Sequence, residues 1–421
     1  MSRRVVMLTT SYPRFPGDGV GTFVEPIANS VAVRGHEVHL VAPWHPLVER
    51  PSQEGDVHFH FFRYAPTRNL HVFGYASALK ADVSLRGTAY LVAPLAVSAG
   101  AWALRRILRS TRSGLIHAHW AVPGGFIGAI GRFGTHVPLV VSLHGSDVYL
   151  AEVNQLARAA ARYAFSRSAW LTACSDDLAT RAVALGADPD RITVVPYGVD
   201  TERFSPDPGA RTSLRQRHAL AEDDSVLVAA GRLVRKKGFE YLIDALPSLT
   251  ERFPRVVLVV AGGGDLEDEL RRRAATCGVV DHVIFLGSVK QGEVARWLAA
   301  ADVVVVPSVR DDSGNVDGLP NVLLEALSSG TPVVATAAGG MGTVAKDGVT
   351  ARIVRQRDAA ALAGAISDLL QHPSTAGSLG RSAREEMCRT HSWDRAAAQF
   401  DEVYARATRS ASPASAPSPD R

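Results

Sequence analysis

Two acidic residues stand eight positions apart in the stretch DGLPNVLLEALSSGTPVVAT, residues 317–336. Glu325 lies near the middle of an apolar helical pattern, where a carboxylate can accept hydrogen bonds from paired ribose hydroxyls. Asp317 precedes that helix in a loop with glycine and proline, where it can hold the hydroxyls of a sugar. The alternative is structural: Asp317 then stabilises the helix N-terminus through the helix dipole, and Glu325 is a surface residue.

Two basic residues flank a turn in the stretch AAGRLVRKKGFEYLIDAL, residues 229–246. Arg232 and Lys237 lie between a strand pattern and the start of an apolar-periodic helix. A guanidinium binds phosphate oxygens in a bidentate manner and an ammonium adds a point charge, so the pair suits a diphosphate at a helix N-terminus. A solvated basic loop is the structural alternative.

Histidines and an aspartate follow two further strand patterns, in HAHWAVPGG and SLHGSDVY. Side chains such as His119, His144 and Asp147 can hydrogen-bond the hydroxyls of a polar ligand at a strand end. His144, in a loop with glycine, is the stronger functional candidate, whereas His117 fits a core histidine better. The two-residue histidine spacing, with no cysteine or carboxylate set nearby, is a poor zinc signature, so we predict no metal site.

A glycine-rich loop follows the first strand pattern, in TTSYPRFPGDGVGTFVEP. Its glycines, Gly17, Gly19 and Gly21, allow the backbone to approach a phosphate or a sugar closely, although they can equally mark a turn. The spacing is not G-x-G-x-x-G, and no acidic residue ends the second strand pattern. Both facts disfavour a nicotinamide-dependent oxidoreductase.

These residues need a framework, and the chain alternates strand and helix patterns almost throughout. Apolar runs such as DSVLVAAGRL, RVVLVVAGGG and ADVVVVPS are separated by helical segments. This alternation predicts an α/β protein with parallel sheets, in which ligands bind outside the carboxyl ends of the strands.

The alternation of strand and helix patterns is interrupted at residues 197–224, which are rich in proline, aspartate and arginine. We therefore predict two Rossmann-like domains that face one another across a cleft. The predicted divisions are a first Rossmann-like domain at 1–200, a second Rossmann-like domain at 201–388, a closing helix at 389–407 that crosses back to the first domain, and a disordered tail at 408–421.

The composition is that of a soluble globular protein, with 46% hydrophobic and 21% charged residues in 421. A net charge of +4 permits anionic partners such as nucleotides or a lipid surface, and we predict no nucleic-acid partner. Three scattered cysteines and an N-terminus without a signal-peptide pattern predict a cytoplasmic protein. The apolar run 87–104, with arginines up to 112, predicts a mostly buried helix. A peripheral contact of residues 87–112 with the inner face of a membrane is the alternative.

Taken together, the motifs GRLVRKKG, PYGVDTERF, HGSD and DGLPNVLLEALSSGTPVVAT resemble the retaining, nucleotide-sugar-dependent glycosyltransferases of the GT-B fold, the large family 4 type. Relatives include glycogen, sucrose and lipid-linked mannosyl transferases, and the resemblance covers nearly the whole chain. It implies a role for each of the following residues: Arg232 and Lys237 bind the donor diphosphate, Glu325 the ribose and Asp317 the donor sugar, His144 lies beside the reacting anomeric carbon, and Gly19 and Gly21 match the N-terminal glycine loop.

Three features depart from the family pattern. Asp317 is one methylene shorter than the usual glutamate, and Thr343 stands where relatives commonly have a glutamate. The segment VRDDSGNV lengthens the loop before Asp317. Gly339 and Gly340 can still present backbone amides to the donor.

The resemblance implies transfer of a hexosyl unit from a nucleoside diphosphate sugar to a hydroxyl acceptor with retention of configuration. Arg232, Lys237 and the amides near Gly339 would stabilise the departing diphosphate without a metal or another cofactor. His119 and Asp147 are assigned to the acceptor side, and a lipid-linked acceptor is one option. The alternatives are a nucleotide-sugar 2-epimerase, a phosphorylase, or a non-catalytic protein that binds a nucleotide sugar or a glycolipid.

Overall fold

The computed structural model describes residues 3–75, 79–81, 84–85 and 87–410. Its contacts divide the chain into two units. The first unit combines Met1–Val195 with Trp393–Arg421, and the second unit is Pro196–Ser392. The predicted divisions, after residues 200 and 388, lie close to these. Residues 411–421, which make up most of the predicted disordered tail, lie outside the described residues.

The first unit is built from strands and helices in alternation. Its strands are β1 (Arg4–Leu8), β2 (Glu37–Pro43), β3 (Gln53–Glu54), β4 (Val57–Phe62), β5 (Leu79–Ala81), β6 (Ser84–Leu85), β7 (Leu115–His119), β8 (Leu139–Leu143), β9 (Trp170–Ala173) and β10 (Ile192–Val194). The helices between them are α1 (Val24–Val33), α2 (Gly87–Thr111), α3 (Phe126–Gly131), α4 (Ser146–Val153), α5 (Gln155–Arg167) and α6 (Asp176–Ala184).

In the described residues, the main sheet of this unit has eight strands in the order β10-β9-β8-β7-β1-β2-β4-β3, and β5 pairs with β6 separately. All neighbours in the main sheet are parallel except β3 and β4. The strands β7 and β8 are buried along their whole length, as expected of parallel strands covered by helices on both faces. The chain order reverses between β1 and β7, and that switch point is where ligands bind in such sheets.

The second unit repeats this architecture. Its strands are β11 (Ser225–Ala230), β12 (Val256–Ala261), β13 (Val283–Gly287), β14 (Val303–Val306), β15 (Val333–Thr336) and β16 (Arg352–Val354). Its helices are α7 (Pro208–Arg217), α8 (Phe239–Arg252), α9 (Glu267–Thr276), α10 (Gln291–Ala300), α11 (Asn321–Ser328), α12 (Ala359–Gln371) and α13 (Pro373–Thr390).

The sheet of the second unit is parallel throughout, in the order β13-β12-β11-β14-β15-β16. Its core joins buried residues of β12 to the apolar face of α8, where Leu242, Ile243 and Leu246 recur at helical spacing. The chain order reverses between β11 and β14. This second switch point positions the residues that the sequence analysis singled out in this half of the chain.

The last helix, α14 (Trp393–Ser410), belongs to the first unit. Phe400 and Tyr404 are buried in the core of that unit, and Arg34 on the loop after α1 pairs with Asp394 at 2.9 Å and with Asp401 at 2.6 Å. The helix continues three residues past the predicted end at residue 407, since the hydroxyl groups of its last turn bond to carbonyls one turn earlier.

One helical segment in the described residues, Leu91–Thr111 within α2, is long and apolar enough to cross a membrane by length and composition alone. Of its most apolar 18-residue stretch, 44% is buried, and Val92, Ala96 and Leu104 pack into the first unit. One face of the helix therefore belongs to the core of that unit, but the helix is less buried than the mostly buried helix that the sequence predicts.

Candidate active site

A buried ion pair lies at the switch point of the second unit. The Lys237 ammonium is 2.7 Å from Asp317 Oδ2, and Lys236 Nζ is 3.7 Å from Oδ1 of the same carboxylate. Ser308, directly after β14, donates a hydrogen bond of 3.2 Å to Asp317 Oδ2. Burial alone would raise the pKa of Asp317, but the two ammonium groups outweigh it and hold the pKa below its usual value. Asp317 is therefore ionised and fixes Lys237 in place.

The backbone around this pair explains how residues eighty positions apart meet. Residues Arg235–Lys237 form a 3-10 turn that ends at Gly238, whose φ is +66°. A Cβ at Gly238 would lie 2.1 Å from the Pro307 carbonyl oxygen, so only glycine allows the loop after β14 to pack here. The Val309 amide also donates to the Lys236 carbonyl at 2.8 Å. The two loops are thus joined directly beneath the ion pair.

The second predicted cation, Arg232, lies in the same loop as Lys237, and its side chain is exposed. The stem of Lys237 runs over Gly231, where an added Cβ would be 3.5 Å from Lys237 Cε. A Cβ at Gly262, in the loop after β12, would lie 1.8 Å from the Gly231 carbonyl oxygen. Because these two residues are glycines, the loops after β11 and β12 can lie in close contact. The surface beside the Lys237 side chain is then formed by backbone atoms.

Glu325 lies on α11 and is half-buried. Gln291 Nε2 donates to Glu325 Oε1 at 3.3 Å, and Arg203 donates in turn to the Gln291 side-chain oxygen at 2.6 Å. Burial raises the pKa of Glu325 to about 7, although Gln291 and the charge of Lys237 act in the opposite direction. Near neutral pH the Glu325 carboxyl group can therefore donate as well as accept a hydrogen bond. The carboxylate of Asp317 is ionised and can only accept.

The glycine pair after β15 lies against Asp317. Gly339 has a φ of +54°, and a Cβ there would be 2.1 Å from the Asp317 carbonyl oxygen. The Gly340 amide makes a long hydrogen bond, 3.4 Å, to that same oxygen. Thr343 ends the 3-10 turn that begins at Gly339. The Gly340 amide, which the sequence analysis assigned to the donor, is directed at the protein in this structure.

The first unit holds the predicted histidine cluster after β7 and β8. His119 Nδ1 is 3.0 Å from His144 Nε2, and the two rings stack with centroids 5.3 Å apart. Burial lowers the pKa of His119 to about 3, and burial together with His119 lowers the pKa of His144 well below its usual value. Both imidazoles are neutral at physiological pH, so they act as hydrogen-bonding groups.

Asp147 joins the two loops that carry these histidines. Its carboxylate accepts hydrogen bonds from the backbone amides of Ala121 at 2.6 Å, Gly145 at 3.0 Å and His144 at 3.3 Å. Burial raises its pKa, and the amide hydrogen bonds oppose that rise. The prediction from the sequence places Asp147 on the acceptor side. Its buried oxygens favour a different role, the positioning of His144.

His117 is a core residue. Its two ring nitrogens contact the Tyr404 hydroxyl at 2.8 Å and Ser142 Oγ at 2.6 Å, and its side chain is fully buried. His119 is also buried, and its Nε2 has no hydrogen-bond partner among the described residues. Of the three histidines, His144 retains the most access to solvent.

Trp120 is a residue that the sequence analysis did not single out. It follows β7 with a φ of +63°, a strained conformation for a non-glycine residue. Its ring centroid lies 5.1 Å from that of His144, and Phe23 flanks the same histidine at 4.6 Å. Two aromatic side chains thus border His144.

The N-terminal glycine loop follows β1. Gly21 has a φ of +66°, and an added Cβ would meet the Ser11 backbone at 2.9 Å, so this glycine is required for packing. Gly19 has no atom within 4 Å of an added Cβ, which leaves open space beside it. A buried ion pair, Arg14 to Asp18 at 2.6 Å, fixes the loop. Gly19 is therefore the better placed of the two to approach a ligand.

The predicted residues fall into two sets. The structure brings Lys237, Asp317 and Gly339 together in the second unit, and His119, His144 and Asp147 together in the first. In the described part of the chain, no group of three or more histidine, cysteine, aspartate or glutamate side chains is arranged to hold a metal ion.

Comparison with known proteins identifies both halves of the chain. Residues 17–203 match the family model Glycosyltransferase Family 4, and residues 210–386 match the model Glycosyl transferases group 1. The chain is 34% identical over 284 residues to the GDP-mannose-dependent alpha-(1-6)-phosphatidylinositol monomannoside mannosyltransferase of Mycolicibacterium smegmatis. That alignment covers 67% of this chain and 74% of the relative. A D-inositol 3-phosphate glycosyltransferase of Xylanimonas cellulosilytica is 41% identical over 229 residues, 53% of each chain.

Solved structures match over almost the full length. Sucrose-phosphate synthase from Thermosynechococcus elongatus gives a TM-score of 0.78 at 22% identity, and HepE from Anabaena in complex with UDP gives 0.75 at 20%. Each match covers 96% of this chain and 99% of the other. At these identities the likeness shows the fold. The chain therefore belongs to the family 4 type of group 1 glycosyltransferases, and its two parallel-sheet units are those of the GT-B fold.

Proposed function

We propose that this glycosyltransferase moves a hexosyl unit from a nucleoside diphosphate sugar to a hydroxyl acceptor and retains the anomeric configuration. The observation that carries the proposal is the buried pair of Lys237 and Asp317, 2.7 Å apart at the switch point of the second sheet. An ammonium group held there before any ligand arrives is suited to a diphosphate. Arg232 in the same loop supplies a second cation.

The charge on the donor favours its capture by Lys237. Two unit charges 4 Å apart attract by about 4 kcal/mol at an effective dielectric constant of 20. A diphosphate carries more negative charge than one carboxylate, so it competes with Asp317 for the ammonium. When the bond from the sugar to the diphosphate breaks, the same fixed charges stabilise the leaving group.

Glu325 supports the ribose contact. Gln291 and Arg203 orient its carboxyl group, and the raised pKa lets it pair with a hydroxyl as donor or as acceptor near neutral pH. A bidentate arrangement with the two ribose hydroxyls uses both carboxyl oxygens. This contact selects a nucleotide over a simple sugar phosphate.

Given retention, the state of the carboxylate in the first unit bears on the route of attack. The oxygens of Asp147 are buried and bonded to backbone amides, so Asp147 is not placed to attack an anomeric carbon. We therefore propose front-face attack. The acceptor oxygen bonds to the anomeric carbon on the side from which the diphosphate leaves, and a leaving phosphate oxygen takes the acceptor proton. Neutral His144 can hydrogen-bond a sugar hydroxyl without adding charge.

The substrates of relatives suggest which substrates to test first. The M. smegmatis relative uses GDP-mannose and acts on a phosphatidylinositol monomannoside, and HepE was crystallised with UDP and with UDP-glucose. We propose GDP-mannose as the first donor and an inositol-bearing or lipid-linked molecule as the first acceptor. Calorimetry with GDP-mannose, UDP-glucose, ADP-glucose and TDP-glucose identifies the preferred donor among these four.

Transfer of a radiolabelled sugar tests the assignment. Lys237→Ala and Glu325→Ala should each lower kcat/KM by at least about tenfold, since one removes a phosphate cation and the other a ribose contact. Arg235→Ala is the matched control, because Arg235 lies in the same turn but pairs with Glu269 on the surface. It should stay within about twofold of wild type.

Two results would reject the proposal. Near-normal transfer by both Lys237→Ala and Glu325→Ala would show that this cluster does not bind the donor. Conversion of the labelled sugar to an epimer, with no glycosidic bond formed, would assign the protein to the 2-epimerases instead. Anomeric couplings in the NMR spectrum of the product decide between retention and inversion.

A further inference from the structure

One face of α2 is an exposed stripe that the catalytic assignment does not use. Its residues recur three or four positions apart, and they are Leu91, Leu95, Ser98, Trp102, Arg106 and Arg109. The apolar members are well exposed: Leu91 at 79%, Trp102 at 65% and Leu95 at 55%. We refer to these six residues as the α2 stripe. Since the opposite face of α2 is packed into the first unit, the stripe faces solvent.

Arginines surround the C-terminal half of the stripe. The Arg106 guanidinium lies 5.8 Å from the Trp102 ring centroid, and Arg109 and Arg112 are exposed. Arg105 donates a 2.8 Å hydrogen bond to the carbonyl of Phe133, whose side chain is 75% exposed. From its N-terminal to its C-terminal end, the exposed face therefore carries leucines, then a tryptophan, and then arginines. Phe133 adds another exposed aromatic side chain nearby.

The charge of this region is one-sided. The 64 residues from 83 to 146 contain six arginines and no aspartate or glutamate, although acids make up 42 of the 421 residues in the chain. In the part of the chain that the structure describes, no ion pair is formed by Arg105, Arg106, Arg109 or Arg112. Three arginines on one helix and a fourth directly after it, without acidic partners, favour a ligand surface that supplies negative charge.

We propose that the α2 stripe docks the first unit onto an anionic lipid bilayer. Leu91 and Leu95 enter the boundary between headgroups and acyl chains, and Trp102 lies at the interface that tryptophan favours. The arginines keep their guanidinium groups at the level of the lipid phosphates. Because the other face of α2 is part of the protein core, the helix lies on the membrane and does not cross it.

A protein partner or a second copy of this chain fits the stripe less well. A second copy would bring the same acid-free segment to the contact, so the arginines would gain no opposite charge there. An anionic bilayer supplies both an apolar layer for the leucines and phosphates for the arginines. The proposal does not depend on the identity of the donor or of the acceptor.

Co-sedimentation of the full chain with vesicles tests the proposal. Wild type should bind vesicles of phosphatidylcholine with 30% phosphatidylglycerol, bind pure phosphatidylcholine much more weakly, and lose binding as salt rises. Each arginine near the surface contributes roughly fivefold to the affinity, so Arg106→Glu with Arg109→Glu should lower it at least about 20-fold. Trp102→Ser should lower it at least about threefold on the same anionic vesicles.

Control variants replace equally exposed side chains elsewhere in the first unit. Leu156→Ser and Arg191→Glu, both at exposed positions, should leave vesicle binding unchanged. All variants should keep the wild-type melting temperature and donor affinity, because the substituted side chains are solvent-facing. Absence of binding to anionic vesicles, or equal binding by the stripe and control variants, would overturn the proposal. So would a concentration-dependent dimer that Trp102→Ser abolishes, since a second copy would then cover the stripe.

Discussion

Replacing Asp317 by asparagine tests the central ion pair. Asparagine keeps the size of the side chain and can still accept the hydrogen bond from Ser308, but it removes the negative charge 2.7 Å from Lys237 and 3.7 Å from Lys236. Removal of one partner from a buried ion pair costs roughly 3–5 kcal/mol. The side chains of Asp317 and Lys237 are still 12% and 15% exposed, so we expect a smaller loss, about 2–3 kcal/mol.

That loss is measurable as a melting temperature. In a unit of about 200 residues, each kcal/mol lowers the Tm by roughly 2–4 °C, so Asp317→Asn should lower it by about 4–12 °C. A nucleoside diphosphate supplies the missing negative charge. The upward shift of the Tm on addition of saturating GDP or UDP should therefore be larger for the variant than for wild type, while sugar transfer falls at least about tenfold.

Asp244→Asn is the matched control in the same unit. Asp244 pairs with Arg273 at 2.5 Å, but their side chains are 28% and 37% exposed. A pair of this kind contributes less than about 1 kcal/mol. If Asp317→Asn lowers the Tm no more than Asp244→Asn does, the ion pair does not fix Lys237 in place. If it also transfers sugar normally, the donor role of Asp317 is wrong.

Two further outcomes follow from the second unit. Because burial raises the pKa of Glu325 to about 7 from an ordinary value of about 4.3, its contribution to stability is full below pH 4 and is lost as the pH rises through 7. Glu325→Gln should match the wild-type Tm near pH 4 and exceed it increasingly up to pH 8; a constant difference would contradict the raised pKa. Gly238→Ala should cost at least about 1 kcal/mol more than Gly314→Ala in urea unfolding. Both glycines have positive φ, but a Cβ added at Gly238 would lie 2.1 Å from the Pro307 carbonyl oxygen, whereas one added at Gly314 would have no atom within 4 Å. Equal losses would refute the close contact.

The two-domain α/β fold could be predicted from the sequence, and the comparisons confirm it. Parallel strands are covered on both faces, so they appear as continuous apolar runs, as in β11, β12 and β14. The strands that gave no such signal are short. β3 is the two residues Gln53–Glu54, and β5 and β6 are three and two residues long and pair separately from the main sheet.

For the candidate site, the sequence indicates individual residues, whose roles stay predictions, and it does not indicate their contacts. Most candidates lie at or after the end of a strand, and parallel strands end at one edge of the sheet; Glu325, on the helix α11, is the exception. The partners Lys236, Gln291 and Ser308 could not be predicted, since their contacts depend on how loops far apart in sequence pack together. The positive φ of Trp120 could not be predicted either, because tryptophan has no preference for this backbone conformation.

The short side chain of Asp317 was the doubtful feature of the sequence, because its reach to a donor sugar is one methylene less than that of a glutamate. In the structure the carboxylate is already bonded to Lys237 and Ser308. Under the proposed function, a diphosphate that captures Lys237 releases the carboxylate from its strongest partner, and the freed oxygens can then turn to the sugar. Phosphate capture and sugar recognition are thereby coupled through one ion pair. An enzyme built in this way binds the intact nucleotide sugar in preference to the free sugar, because without the diphosphate Asp317 stays on Lys237.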